Sequence, residues 1–492
     1  MTLQKFLLRG LAVVGLIIFL VWPAIYNTEP FYFPDTRNYI RAADDAINKL
    51  AKVSTAWTRV DDDLPANTST GTVAAQPAAQ RQNTPAHPLM LQETGKKGIR
   101  AGRSIYYGLT LYLGWVTSRF WISVFLQAGA VLLALCLALR GLKLPVWPNL
   151  LHLGIGLGLL SDLPFFTSFL MPDVYAGIAI LGCALLFACA DRFGWRQNVL
   201  YYLLISFAML FHDSILAIVF VLLLAALFLN LILKSWSNKK SLAILALALL
   251  TAIAGQALFT TMVKRSSGSE PQRLPFLTAR LVGTSYGTEY LRATCPGNSF
   301  AVCQYLSNFP EYSENFLWGS QGTFAASPLE TRWSISLQDV RLARSIFLYA
   351  PWRFTEDIGW NSIRQFATFP LSEFQYHQDA ELIIPLEARE AYHRSRAYIG
   401  TMHIEVFSVL NYCTVILSMA YLLSSYLFAW PRKLADPHMR KIGYWVIAGV
   451  VLNALICATL SGVFPRYESR LVWLFPLLVL LVEVHAFLTR KE

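Results

Sequence analysis

The residues that could do chemistry fall into a few short stretches. YFPDTRNYI places one carboxylate, Asp35, directly after Pro34, with Tyr39 four residues on. If Pro34 opens a helix, Asp35 and Tyr39 share a face. A carboxylate at the lip of a cavity can take the proton from an attacking hydroxyl. The competing reading is helix capping, which Asp favours next to a starting Pro. FLMPDVYAG sets Asp173 between two apolar runs with almost no linker. It reads either as an N-cap or as a group that positions an acceptor or holds a divalent cation with water and phosphate. His212 and Asp213 interrupt a long apolar stretch. The histidine could give a hydrogen bond to phosphate or carry a proton; the competing reading is a solvated hairpin turn. Asp162, beside Ser161, lies deeper in an apolar run and reads as hydrogen-bonding glue between helices.

The most informative stretch is SGVFPRYESRLVWLFPLLVLL. Arg466 and Arg470 are four apart, so on a helix they share a face. Two guanidinium forks at that spacing suit a phosphate or pyrophosphate. Anchoring to anionic headgroups is the alternative, with Glu468 partly neutralising the pair. The phosphate reading is favoured because basic anchors are less expected at the non-cytoplasmic end of a span.

Of seven cysteines, five lie in apolar runs, where a lone thiol acts as a small hydrophobe. Cys295 and Cys303 sit eight residues apart in the polar segment TCPGNSFAVCQYL. Outside the cytoplasm that pair is expected to form a local disulfide. Neither they nor His87, His377, His393 and His403 have the spacing of a metal site. The chain has no P-loop, no nucleotide fingerprint, no HExxH and no GxSxG, which argues against a cytoplasmic nucleotide cofactor. No metal ligand set is assigned, and the divalent cation at Asp173 is left as an option.

The elements that carry these residues follow from composition. Hydrophobic residues make up 55% of the 492 and charged residues 14%; a soluble chain carries roughly 25% charged. Lipid is therefore the main solvent. The net charge of +11 is spread in short clusters between apolar runs rather than gathered in one patch, so nucleic acid is rejected as a partner. The fold class is an all-α integral membrane protein with about ten transmembrane helices and two large extracytoplasmic loops. Expected spans are 6–25, 120–141, 146–170, 174–191, 197–212, 214–233, 241–262, 403–430, 441–461 and 470–488. The organisation is residues 1–26 as a first, retained helix and 27–119 as a first periplasmic loop. A six-helix block at 120–262, a large periplasmic loop at 263–402 and a three-helix block at 403–492 follow. The first loop begins with an amphipathic helix, has a disordered middle that includes Asn67-Thr68-Ser69, and ends in an aromatic interfacial segment. Arg140, Lys143, Arg192, Arg196, Lys234, Lys239, Lys240, Arg432, Lys433, Arg440 and Lys441 mark the short cytoplasmic turns and put both termini in the cytoplasm. No internal repeat is visible, unlike many transporters.

This layout resembles the GT-C superfamily of membrane glycosyltransferases, which use polyprenyl-phosphate sugars. FPDTRNYI looks like the acidic first-loop motif of that superfamily, and FPRYESRLVWLFPLL looks like the Arg-Tyr start of the last span in bacterial members. The resemblance implies Asp35 as catalytic base and Arg466, Tyr467 and Arg470 as contacts to the lipid phosphate. Asp173, His212 and Tyr39 would help bind substrate. It also implies a lipid-linked sugar donor, an envelope glycan or glycolipid acceptor, and a bacterial inner membrane. Two features depart from the pattern. Residue 35 is a single acid rather than one of an acidic pair, and the large loop lies between spans instead of forming a C-terminal domain. TCPGNSFAVCQYL and ENFLW look like segments of a further bacterial membrane family. The alternatives are a polysaccharide polymerase or ligase, which would rely on arginines of 263–402, and a multi-span transporter or flippase.

Overall fold

The computed structural model describes residues 3–59, 103–234, 239–376 apart from 269, 298, 308, 310, 311, 320 and 321, then 384–427 and 436–489. The expected disordered stretch with Asn67, together with His87, His377, Arg432 and Lys433, lies outside the described residues. The regular elements that are described are all helices, with one isolated parallel bridge between Phe31 and Phe169. Lipid forces this choice, because a helix satisfies its backbone groups within its own segment.

Eight described helices are long and apolar enough to cross a membrane: Leu3–Leu20, Trp121–Gly141, Val174–Arg192, Asp213–Ile232, Lys239–Arg265, Ile404–Tyr426, Pro437–Leu460 and Pro465–Leu488. The protein is an all-α integral membrane protein, but two of the ten expected spans fall short. The run at 146–170 is helical over Val146–Leu160, breaks at Ser161 and resumes as the five-residue helix Leu163–Thr167. Fifteen residues rise only about 22 Å, against a hydrocarbon core of about 30 Å. The run at 197–212 forms Trp195–Phe211, whose first turn holds Arg196, Gln197 and Asn198. Its apolar part is shorter still.

Val174–Arg192 is the centre of the bundle, with 89% of its span buried. Pro437–Leu460, Trp195–Phe211 and Trp121–Gly141 pack around it. Peripheral helices leave large apolar side chains uncovered: Leu224, Phe228 and Leu231 on one, Ile416, Leu417 and Leu423 on another. Such surfaces are a liability in water and the natural boundary in lipid.

The segment 263–402, expected as one loop, folds as two parts. Leu291, Phe316, Phe324, Ile335 and Ile346 build a separate small core. A disulfide between Cys295 and Cys303, with Cα atoms 5.4 Å apart, closes its rim. Phe369, Phe374, Tyr392 and Met402 instead join the main core. Phe374 meets Phe31 edge to face at 5.1 Å, and Tyr376 Oη accepts from the Tyr32 N–H at 2.7 Å.

The bridge sets the site. The Phe31 N–H donates to the Ser168 carbonyl and the Leu170 N–H to the Phe31 carbonyl, both at 2.9 Å. Asp35 lies four residues beyond Phe31, and Asp173 four beyond Phe169. The parallel register therefore delivers both carboxylates to the same end of the bundle. Helix Pro34–Ala51 is held there by Ile105–Ser118. The two backbones approach so closely that a Cβ on Gly108 would lie 2.2 Å from the Tyr39 carbonyl oxygen.

Candidate functional site

At this end a cavity of about 120 Å³ is enclosed between the spans and the 274–354 subdomain. Asp35, Arg103, His212, Arg466 and Tyr467 line it from the bundle side. Phe276, Ser313, Glu314, Leu317 and Trp318 line it from the subdomain.

Pro34 opens the helix Pro34–Ala51, with Phe33 as the preceding cap residue. Thr36 Oγ1 accepts the Phe33 N–H at 2.9 Å and so satisfies the helix start. Asp35 is free of the capping role and accepts a hydrogen bond from the Arg103 guanidinium through Oδ2. Tyr39 is buried behind this pair, with its ring 6.0 Å from Arg103 Cζ and edge to face with Tyr107 at 5.2 Å. Burial pushes its phenol above the ordinary value. It braces the pair and does not line the cavity.

Asp173 precedes helix Val174–Cys189, yet its side chain makes no capping bond. The carboxylate instead turns into a buried network. Asp173 Oδ1 lies 3.4 Å from Arg470 Nη1 and 3.8 Å from Arg466 Nε. Arg470 is wholly buried, and its Nη2 donates to Asn453 Oδ1 at 2.8 Å and Ser214 Oγ at 3.2 Å. A close helix contact seats it: Trp473 Nε1 donates to the Arg470 carbonyl at 3.1 Å, and a Cβ on Gly177 would come within 2.7 Å of that indole.

The two arginines expected to grip one phosphate are therefore divided. Arg470 is not among the cavity-lining residues; its two Nη groups go to Asp173, Asn453 and Ser214, and its buried Nε has no hydrogen-bond partner among the described residues. Arg466 does line the cavity. Its Cζ sits 4.1 Å over the Phe33 ring and 5.5 Å from the Tyr467 ring centre, which is also 5.6 Å from Arg470 Cζ. Aromatic faces attract the charge but leave N–H groups unmet. Arg466 Nη1 is buried and has no hydrogen-bond partner among the described residues.

His212 and Asp213 also part company. His212 lines the cavity, and its Nδ1 accepts the Ser214 N–H at 3.2 Å. It is half-buried. Asp213 is exposed and accepts from Gln256 Nε2 at 2.7 Å. Asp162 is away from the cavity, where its Oδ2 accepts from Asn411 Nδ2 at 3.2 Å and ties two helices together.

Arg103, Glu314 and Trp318 are among the cavity residues that escaped the sequence reading. Arg103 precedes an aromatic helix that reads as interfacial. Glu314 and Trp318 sit in SENFLW, where their four-residue spacing is the one available signal. Burial pushes the Glu314 carboxyl up from its ordinary value. Among the described residues no group of three or more potential metal ligands converges. A wider hollow of about 830 Å³ on the subdomain, lined by Thr284, Thr288, Glu289 and Arg292, is open and holds no buried charge.

The chain matches no protein-family profile, no curated protein and no solved structure.

Proposed function

We propose that the protein transfers a sugar from a polyprenyl-phosphate donor to an envelope glycan or glycolipid. The reaction takes place where the loops meet the spans, on the non-cytoplasmic face of a bacterial inner membrane. One observation carries this reading: Arg466, whose buried Nη1 has no hydrogen-bond partner among the described residues, lines the cavity together with Arg103 and Asp35. An unmet guanidinium N–H at the membrane boundary calls for an anion, and phosphate oxygens fit that fork.

In the proposed step the acceptor oxygen forms a bond to the sugar C1 as the C1–O bond to phosphate breaks. The electron pair leaves with the phosphate, where Arg466 and Arg103 meet the developing charge. The acceptor proton goes to Asp35. Arg103 holds Asp35 through Oδ2, which leaves Oδ1 for that proton. Asp173, Arg470 and Asn453 hold the Arg466 helix in register rather than touching substrate. At about 120 Å³ the cavity is below the ~300–1,000 Å³ of small-molecule sites. Substrate entry therefore requires the cavity to widen between its two walls. Basic turns at Arg140, Lys143, Arg192 and Arg196 lie at the opposite ends of the helices, which supports the loops facing away from the cytoplasm.

A polymerase or ligase working through arginines of 263–402 gains no support, since the described cavity residues from that segment are Phe276, Ser313, Glu314, Leu317 and Trp318. The test is native mass spectrometry of the protein in nanodiscs with polyprenyl phosphate. Arg466→Ala should weaken binding by about 10- to 150-fold, the worth of one charged hydrogen bond. Unchanged binding in that variant would overturn the assignment.

A further inference from the structure

We infer that helix Ser313–Trp318 is the acceptor wall of the cavity and that it recognises a neutral, polyhydroxylated ring through Glu314 and Trp318. The inference rests on the transfer reading above and adds to it the wall that holds the acceptor and the acceptor ring's lack of charge.

Ser313, Glu314, Leu317 and Trp318 all line the cavity. Positions 314 and 318 are four apart, so a carboxylate and an indole stand on one helical face. The helix is not adrift. Phe316 is wholly buried in the subdomain core, and Ser313 Oγ donates to the Ser461 carbonyl at 3.1 Å, which pins the helix to the end of Pro437–Leu460.

The two walls differ in charge. The bundle side carries Arg103 and Arg466, and its carboxylate Asp35 is already held by Arg103. Glu314 has no ion pair among the described residues, and its side chain is met by Ser313 and its own backbone. An unpaired carboxylate repels phosphate and other anions, so the donor headgroup belongs on the arginine wall. What suits the opposite wall is a ligand with hydroxyl donors for the carboxylate and C–H faces for the indole. A pyranose or furanose ring offers both. Tyr467 and Ser461, whose hydroxyls lie 3.2 Å apart at the junction of the walls, supply further donors and acceptors where donor and acceptor would meet.

The experiment uses the full-length protein in nanodiscs and two probes in parallel. Saturation-transfer NMR reads binding of a panel of methyl glycosides, and native mass spectrometry reads binding of polyprenyl phosphate. Glu314→Gln and Trp318→Phe should each weaken glycoside binding by about tenfold or more, the loss expected for a charged hydrogen bond or a ring contact. Both should keep polyprenyl phosphate binding, which also certifies that they are folded. Arg466→Ala should do the reverse. Glycoside signals that persist in both wall variants, or a wild type that binds polyprenyl phosphate and no glycoside, would overturn the acceptor wall alone. A wild type that fails to bind polyprenyl phosphate would instead overturn the transfer reading on which it rests.

Discussion

Replacing Asp173 with Asn tests the buried network that holds the site. Asp173 is 1% exposed and Arg470 is fully buried, so neither charge can turn to water. Removing the carboxylate leaves Arg470 and Arg466 without their shared anion. Breaking a buried pair from one side costs about 3–5 kcal/mol, since the remaining charge stays desolvated. The separations of 3.4 and 3.8 Å are looser than a tight charged hydrogen bond of about 2.8 Å, which favours the lower end, about 3 kcal/mol. Arg470→Met should cost a similar amount, because Asp173, Asn453 and Ser214 all lose a donor. The double variant Asp173→Asn/Arg470→Met should cost about 2 kcal/mol less than the two singles together, a coupling in the range of groups in direct contact. Arg470→Lys should not restore stability, because one ammonium cannot serve three partners in fork geometry. The assay is reversible unfolding in bicelles by steric trapping. Additive single effects, or an Asp173→Asn cost below about 1 kcal/mol, would refute the reasoning.

Other outcomes follow from the same geometry. Cys295→Ser should destabilise the 274–354 subdomain by about 2–3 kcal/mol, as the chain-entropy relation gives for a loop of this length; limited proteolysis should then cut within that subdomain first. Gly108→Ala drives a methyl group against the Tyr39 carbonyl and should cost about 1–3 kcal/mol. Restoration of that loss by shortening Tyr39 would contradict it, since the clash is with backbone. Glu314 is held above its ordinary 4.5 by burial, so the folded protein keeps a proton that the unfolded chain has lost. Stability must fall as pH rises from 4.5 through the raised value. Glu314→Gln should flatten that slope in thermal scans of the subdomain, with Asp339, raised for the same reason, supplying what slope remains.

The sequence made the solvent and the element type plain, because apolar runs near the length of a bilayer admit only helices. The expected spans at 146–170 and 197–212 are helical but broken or shortened, and neither is long and apolar enough to cross by itself. Ser161-Asp162 and the polar turn at Arg196–Asn198 cut into apolar stretches that look continuous when only their ends are marked. Asp35, Arg466, Tyr467 and His212 were visible as polar residues at apolar boundaries, and they meet at one cavity. The division of labour between Arg466 and Arg470 was not visible. A four-residue spacing puts two side chains on one face but does not say that Asp173 and Asn453, from two other helices, claim one of them. The bridge between Phe31 and Phe169 was equally hidden, since it joins segments 138 residues apart through backbone groups that carry no sequence signature. Glu314 and Trp318 escaped because a six-residue helix in a polar loop has too little periodicity to be read.

A cavity that breaks a sugar–phosphate bond must release the lipid phosphate. The most direct measurement reconstitutes the protein with polyprenyl-phosphate hexose and pentose donors and follows release of polyprenyl phosphate by mass spectrometry in wild type, Asp35→Asn and Arg466→Ala. Wild type should release polyprenyl phosphate, Asp35→Asn should lose at least about 100-fold, in the range of a removed general base, and Arg466→Ala should need more donor. Equal release by Asp35→Asn, or intact donor moving across the bilayer with no bond broken, would contradict sugar transfer at this cavity.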